Sequence, residues 1–470
     1  MTAATEGTPT LLDAARWQPK LEELLERVAG PGALFAIMQG DEVVQCTAGV
    51  ANLETGTPIT TDTLFHVASI SKVFTATLVM QLVDEGKLDL DAPLRTYLPD
   101  FRVADPDVSE RVTARHLLSH TSGIDGDKED PFGRGDDALA LYVESCATLE
   151  QQFPLGATFS YCNSGFNILG RLVEVLRGKS YDAALREHVL EPLGVRRTGT
   201  LPEDLIWFPV ATGHRTEEKQ TEPAYAWENE RCHAPAGGVI TTAADLLAFA
   251  RMHLDGGVAG DGTRVLGEAS AAAMRTAQVE VPDPNYGATH WGLGWELFRM
   301  PGMPELFGHG GDLLGHHARF TICPERRLAL LLMINGDGVD VVADPLFREV
   351  LGEVGVELPP LPAPPETPPQ VDLERLAGVY ETVAVRLSLT PAGDRLHARY
   401  EVLSKDLAEQ LPESFRVREL EFLPVDHQRF VLRVEDDDPW SSALFYEADG
   451  ERYLHVGLRA MRARDGAEAT

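Results

Sequence analysis

A chain of 470 residues, 44% hydrophobic and 24% charged, has the make-up of a soluble globular protein with two or three domains and ample residues for a large core. Its 73 acidic against 41 basic residues give a formal charge of −32, which repels nucleic acid and anionic membrane and excludes both as expected partners. Cys46, Cys146, Cys162, Cys232 and Cys323 are odd in number and lack paired spacing, so they form neither a disulfide framework nor a zinc site and fit a reducing compartment. The first residues, Met1 to Thr8, lack the basic start and apolar core of a secretory signal, and no stretch is apolar for long enough to span a bilayer. A cytoplasmic location is expected.

In chain order, Leu11 to Val28 carries Leu21, Leu24, Leu25 and Val28 on one face and ends at Gly30, the pattern of a surface helix. Ala33 to Met38 and Val43 to Cys46 flank Gln39-Gly40-Asp41-Glu42 and predict a hairpin, so the chain begins as an α+β architecture. From Lys72 to Val83 only Thr75, Thr77 and Gln81 interrupt an apolar run, which predicts a core helix with a left-handed cap at Gly86. Ser69 then lies at a helix N-terminus, and Lys72, three residues on, projects from the same face about 5–6 Å away between Cβ atoms. A serine hydroxyl needs a neighbour to take its proton, and an amine does so when burial or nearby positive charge keeps it neutral. The helix N-terminus also turns free N–H groups toward negative charge forming at Ser69, half of an oxyanion hole. Ser-x-x-Lys alone arises by chance in a chain this long, but the apolar helix gives Lys72 no solvated face, which favours function.

Leu88 to Pro99 is a loop dense in Asp and Pro. His116-Leu117-Leu118-Ser119-His120-Thr121-Ser122-Gly123-Ile124 opens into an acidic loop at Asp125, Asp127, Glu129 and Asp130, whose oxygen pattern falls short of a calcium loop and is expected to be solvated. His116 and His120, one turn apart, lack an evident third ligand; both read as structural and no metal is expected. Tyr161 stands two residues before Asn163 at a loop-to-helix junction, placing a phenol beside a carboxamide, and the helix runs on with Phe166, Ile168, Leu169, Leu172 and Val173 inward to Gly178. Pro235-Ala236-Gly237-Gly238-Val239-Ile240-Thr241-Thr242 predicts a tight turn, with Thr241 or Thr242 capping a helix from Ala243.

Trp291 to Trp295, Phe307 to Gly311 and Leu328 to Ile334 predict strands of one antiparallel sheet. Trp291 and Trp295 read as core. The glycines of His309-Gly310-Gly311 are expected to let a substrate approach the backbone closely. Seven prolines between Pro359 and Pro369 make an extended linker over 358–371. Beyond it, Val383, Val385, Leu387 and Leu389 alternate, as do Leu396, Ala398, Tyr400 and Val402, then Phe430, Leu432 and Val434, with Tyr453 to Arg459 as the last strand. Period-two segments without helices predict a small antiparallel barrel or sandwich over 372–464, behind a first domain of residues 1–357.

In this order and at family-like spacing, Ser69-Ile70-Ser71-Lys72, His116 to Gly123, Tyr161-Cys162-Asn163, Pro235-Ala236-Gly237-Gly238 and His309-Gly310-Gly311 resemble the serine β-lactamase and penicillin-binding-protein superfamily, in its class C-like, esterase-like branch, over roughly residues 20 to 355. The resemblance implies a class C β-lactamase-like α+β fold, with a helical subdomain beside an antiparallel sheet, followed by a lipocalin-like barrel. No cofactor is expected. Ser69 would be the nucleophile, with Lys72 and Tyr161 sharing the proton work; which of them is the base stays open, because coupled groups titrate as a pair. The resemblance also implies that Asn163 holds Lys72 and the acyl amide of a substrate, and that the N–H groups of Ser69 and of Asp312, next after Gly310 and Gly311, form the oxyanion hole.

His309 stands where penicillin-recognising members carry a Lys followed by Thr or Ser and Gly. A fixed Lys attracts the carboxylate of β-lactams and peptidoglycan stems, whereas a His is neutral for much of the time near pH 7, so a β-lactamase or D-residue peptidase is the lesser reading. The resemblance instead implies a serine acyl-transfer enzyme for peptide-type, ester, amide or thioester substrates, in which water or a substrate amine resolves the acyl-enzyme. The second outcome resembles penicillin-binding-protein-type thioesterases that release and cyclise nonribosomal peptides, and the expected partner is a small-molecule or peptidyl substrate, a thioester on a carrier protein being one form the resemblance implies. The C-terminal domain is either a stabilising lid or a wall of the cleft. Arg459 reads as a solvated surface residue, or, in a peptide cleft, as a group that reaches a carboxylate or carbonyl. A catalytically inactive peptide-binding relative is the alternative of a different class, and Ser69, Lys72, Tyr161 and Asn163, all in their motifs, stand against it.

Overall fold

The computed structural model describes residues 10–464 apart from 129, 218–219, 225–229, 285–286, 406–407, 409–412 and 435–437; Glu129 of the acidic loop thus lies outside the described residues. One antiparallel sheet organises the first domain. Its strands are β1 (Gly32–Gln39), β2 (Glu42–Asn52), β3 (Thr57–Pro58), β4 (Val279–Glu280), β5 (His290–Trp291), β6 (Glu296–Phe298), β7 (Leu306–Leu313), β8 (His316–Cys323) and β9 (Leu328–Ile334). They run in the order β3-β2-β1-β9-β8-β7-β6-β5-β4. The principal helices are α1 (Ala14–Arg27), α2 (Ser71–Asp84), α3 (Asn163–Arg177), α4 (Ala243–Leu254) and α5 (Val339–Glu353).

The seven apolar residues of β9 explain its central place, since a strand with no polar face must be covered on both sides. Leu330, Leu332 and Ile334 pack with Trp17, Leu21 and Leu25 of α1 and Val342, Leu346 and Val350 of α5. Ala329, Leu331 and Met333 point the other way, into the larger core formed with α2, α3 and α4. In that core α2 is buried from Ser71 to Leu82, as its apolar run predicts, and Gly86 follows it at φ 66°.

Beyond the proline-rich segment, eight strands close an antiparallel barrel in simple sequence order. They are β10 (Gly378–Glu381), β11 (Val385–Ala392), β12 (Arg395–Val402), β13 (Val417–Pro424), β14 (Arg429–Leu432), β15 (Ser441–Ala448), β16 (Glu451–Val456) and β17 (Arg459–Arg464). Alternate residues, among them Leu387, Leu389, Leu396, Phe422, Phe430 and Phe445, fill its interior. The fold is thus an α+β domain followed by an eight-stranded antiparallel barrel.

Two predicted strands are broken by turns. Trp291 ends β5 and Glu296 begins β6; between them the chain turns at Gly294, whose φ of 89° and contact with α2, where a Cβ would come within 2.6 Å of Ala76 Cβ, both demand glycine. Likewise Tyr453 to Arg459 is not one strand, because Gly457 and Leu458 turn at φ 57° and 64° and Arg459 opens β17. Asp125 and Asp127 of the acidic loop are also not solvated. Asp125 is buried, and its carboxylate accepts from Gln152 Nε2 (2.6 Å) and from the N–H of Val383 in the barrel (2.7 Å). A surface that looks acidic and local in sequence is covered by chain more than 250 residues away.

Candidate active site

Ser69 lies in a single 3-10 turn, Ala68–Ile70, that feeds α2. Ala68 adopts φ 46°, a left-handed conformation that costs an L residue roughly 1–2 kcal/mol and persists only where neighbours enforce it. The enforcement is visible. Val67 N–H donates to the Val239 carbonyl (3.0 Å), while the Ser71 hydroxyl donates to the Ala68 carbonyl (2.6 Å) and accepts from Val239 N–H (2.8 Å). Gly311 of β7 presses on the same turn, where a Cβ would meet the Val67 carbonyl oxygen at 2.1 Å. Gly311 therefore serves packing against the Ser69 turn, and Gly310 alone of the pair lines the cleft, which corrects the expectation that both glycines admit substrate.

Lys72 is fully buried, and its Nζ donates to Ser69 Oγ (3.1 Å) and to the Ala236 carbonyl (2.7 Å). The Pro235-Ala236 segment is a second support for α2, since the Pro235 carbonyl accepts from Thr75 Oγ1 at 2.7 Å. Nζ also stands 4.7 Å from the centre of the Tyr161 ring. The Tyr161 hydroxyl faces Ser69 without a closed hydrogen bond, an arrangement common before substrate arrives. Burial raises the phenol far above its ordinary range, and the Ser69 hydroxyl and Arg459 charge only partly offset this.

Tyr161 and Asn163 are positioned from three directions. His120 Nδ1 accepts the N–H of Cys162, the residue between them (2.9 Å); Cys162 Sγ caps α3 by accepting from Gly165 N–H (3.2 Å); and Tyr161 N–H donates to the Leu458 carbonyl in the barrel (2.8 Å). His120 is buried against Tyr161, Phe166 and Trp291, and burial followed by the Lys72 charge holds it neutral. His116 caps its own helix with Thr113. Trp291 and Trp295 are both buried core, as expected.

His309 is likewise buried and neutral: burial, then the Lys72 charge, pulls its pKa down to about 3. Its Nδ1 pairs with the Gly310 carbonyl at 2.5 Å, so that nitrogen carries the proton. Glu296, at the start of β6, accepts the Gly310 N–H (3.2 Å), and enclosure pushes its carboxyl up to about 7. Strand N–H groups alternate between the two edges of β7, so the Asp312 N–H points the way of Gly310 N–H, past the end of β6 and into the open cleft. The Asp312 side chain fixes that end of the strand. It accepts from His317 Nδ1 (2.7 Å) and Arg319 Nη1 (3.0 Å), and although burial opposes ionisation, these cations hold it well below the usual carboxylate range.

Arg459 is not a solvated surface residue. Its guanidinium binds Asp127 through Nη2 (2.7 Å) and Nε (3.1 Å) and lies 4.9 Å from the Tyr161 ring centre. The barrel is accordingly a wall of the cleft: Leu458 and Arg459 line a cavity of about 590 Å³ together with Ser69, Tyr161, His309 and Asp312. Sequence reasoning missed Glu296, His120 as a positioning residue, the Ala236 carbonyl and Leu458. Only Glu296 left a signal, a lone carboxylate inside the apolar run Gly294 to Phe298.

The family model described as Beta-lactamase matches residues 18–352. The chain belongs to the Beta-lactamase family. Within it, the chain is 45% identical over 373 residues to "Penicillin-binding protein 4" of Amycolatopsis lactamdurans, covering 78% of this chain and 98% of that protein. It is 28% identical over 353 residues to a "D-aminopeptidase" of Brucella anthropi, covering 72% of this chain and 63% of that one. Among solved structures, SurE with D-Leu superposes with a TM-score of 0.73 at 28% identity, covering 96% of this chain and 99% of SurE, so the likeness includes the barrel. The Beta-lactamase match covers the first domain alone, from α1 to α5.

Proposed function

We propose that this protein is a serine acyl-transfer enzyme for peptide-type acyl donors, carried by one observation: Ser69 Oγ lies 3.1 Å from a fully buried Lys72 Nζ in a cleft shared with Tyr161. In the form of the site with Lys72 neutral, Ser69 Oγ attacks the acyl carbonyl carbon, and its proton passes to the Lys72–Tyr161 pair. The carbonyl oxygen becomes an oxyanion that accepts from the N–H groups of Ser69 and Asp312. As the tetrahedral intermediate collapses, the bond to the leaving thiol, amine or alcohol breaks and the pair returns the proton to it. Asn163 orients the acyl amide. His309, held neutral by its burial, offers no fixed charge for a β-lactam carboxylate, which argues against β-lactam turnover.

Water or an amine of the substrate then resolves the acyl-enzyme, giving hydrolysis or peptide release with cyclisation. The likeness to SurE with D-Leu over 96% of the chain, barrel included, supports an acyl donor containing D-residues. Five buried free thiols suit a cytoplasmic setting. The test is intact mass spectrometry of wild type and Ser69→Ala with p-nitrophenyl esters, D- and L-peptide amides, a penicillin and a linear peptide thioester. A wild-type adduct that Ser69→Ala lacks is expected, resolving to cyclic peptide or free acid. An unchanged mass and no turnover with every donor would refute the enzyme assignment in favour of a peptide-binding protein.

A further inference from the structure

A second cavity, of about 540 Å³, adjoins the first. The two share a wall made of Asn163, Asp312, Gly457 and Arg459. On its far side the second cavity is the open mouth of the barrel. Leu387, Leu420, Leu432 and Met461 turn inward there as part of the barrel core, with Val385 and Val456 partly covered at the rim. These residues sit at the strand ends nearest the 457–458 turn, while Leu396, Phe422 and Phe430 fill the interior deeper in. An eight-stranded barrel is just wide enough to be filled by its own side chains or to hold one small ligand, and this one is filled at one end and open at the other.

The position of the wall decides what the mouth is for. Asp312 supplies an oxyanion N–H and Asn163 the carboxamide for the acyl amide, so both flank the acyl carbonyl rather than the leaving group. A substituent on the acyl side passes between them and meets an apolar chamber rimmed by the Asp127–Arg459 pair. The volume lies within the range of small-molecule sites, roughly 300–1,000 Å³.

We propose that the barrel mouth is the acyl subsite, which takes a large aliphatic or aromatic group on the acyl part of the substrate. The inference rests on the acyl-transfer reading above and adds the substrate class. The other arm of the cleft, bounded by Phe347, Leu351 and Pro360, is left for the leaving group or the attacking amine.

The test uses the full-length protein with p-nitrophenyl esters from acetate to dodecanoate. Each methylene moved from water into the mouth should raise kcat/KM about fourfold until the mouth is full. Leu420→Trp and Val456→Phe narrow it from opposite sides; in either, the ratio of kcat/KM for the longest over the shortest ester should fall at least about fifteenfold, the equivalent of two excluded methylenes. Two variants guard against a folding failure in one. A crystal structure of wild type labelled by a dodecyl fluorophosphonate should place the chain against Leu387 and Met461. Failure to label Ser69 or to hydrolyse any ester would overturn the acyl-transfer reading itself. Labelling and turnover with no chain-length preference, an unchanged ratio in both variants, or a chain lying toward Phe347 and Pro360 would overturn the subsite and leave that reading standing.

Discussion

Gly311 and Gly310 are neighbours in β7 with opposite surroundings, and substituting each by alanine separates packing from substrate contact. A Cβ on Gly311 meets the Val67 carbonyl oxygen at 2.1 Å where 3.0 Å is the practical floor, so strand and turn must part by about 0.9 Å. Val67 and Ala68 lead directly into Ser69, and Asp312 follows Gly311, so the displacement falls on the proposed nucleophile and on one proposed oxyanion donor together. A misplacement of about 1 Å costs on the order of 10²-fold in rate. Overpacking of this kind adds about 1–3 kcal/mol of destabilisation. A Cβ on Gly310 meets only Arg319 side-chain atoms, at 3.6 Å or more, and should leave the urea midpoint within about 0.5 kcal/mol of wild type. The assay is kcat/KM for a p-nitrophenyl ester and the rate of Ser69 labelling by a fluorophosphonate, with urea unfolding alongside. If Gly311→Ala kept wild-type rates, or if Gly310→Ala lost as much stability as Gly311→Ala, the assignment of Gly311 to the nucleophile turn would fail.

Asp125 makes stability depend on pH: burial, then the Asp127 charge, raises its carboxyl to about 6 against about 3.9 unfolded. The folded state then binds its proton more tightly, so stability falls by on the order of 2 to 3 kcal/mol as pH rises from about 4 to about 6. Asp125→Asn should flatten that slope in urea melts across the range; an unchanged slope would assign it to another group. His120→Phe removes the acceptor of the Cys162 N–H, which should cost about 1–3 kcal/mol in the same melts and lower kcat/KM by displacing Tyr161 and Asn163. Asp127→Ala and Arg459→Ala should each cost about 1.5–3 kcal/mol, and the double variant less than their sum, because each single change strands an enclosed partner. Additive effects would mean that the pair carries no coupling.

What the sequence made legible was the chemistry held within one turn of chain. Ser69 and Lys72 are three residues apart on a helix, and that spacing alone brings hydroxyl and amine together. The buried α2, the Tyr161–Asn163 junction and the alternating barrel strands are equally local patterns. The misreadings share a cause: each depended on a partner distant in the chain. Asp125 and Asp127 look like a solvated run until Val383 and Arg459 cover them. Gly311 looks like room for substrate until the Val67 carbonyl occupies that room. Trp291 to Trp295 alternates like a strand, but Gly294 must turn against α2.

The barrel also bears on the setting of Tyr161. Leu458 holds φ 64°, an unfavourable conformation for a branched side chain, and there its carbonyl accepts the Tyr161 N–H. Ser160 Oγ accepts the Ala460 N–H (3.0 Å), and Arg459 crosses the Tyr161 ring on its way to Asp127. Leu458 and Arg459 thus grip the backbone and ring of the residue that faces Ser69, and Ala460 holds the hydroxyl of its neighbour Ser160. Arg459, with Gly457 before this run, also stands in the wall between the cleft and the barrel mouth. The proposed acyl subsite and the backbone of Tyr161 thus meet at one hydrogen bond of 2.8 Å, from the Tyr161 N–H to the Leu458 carbonyl.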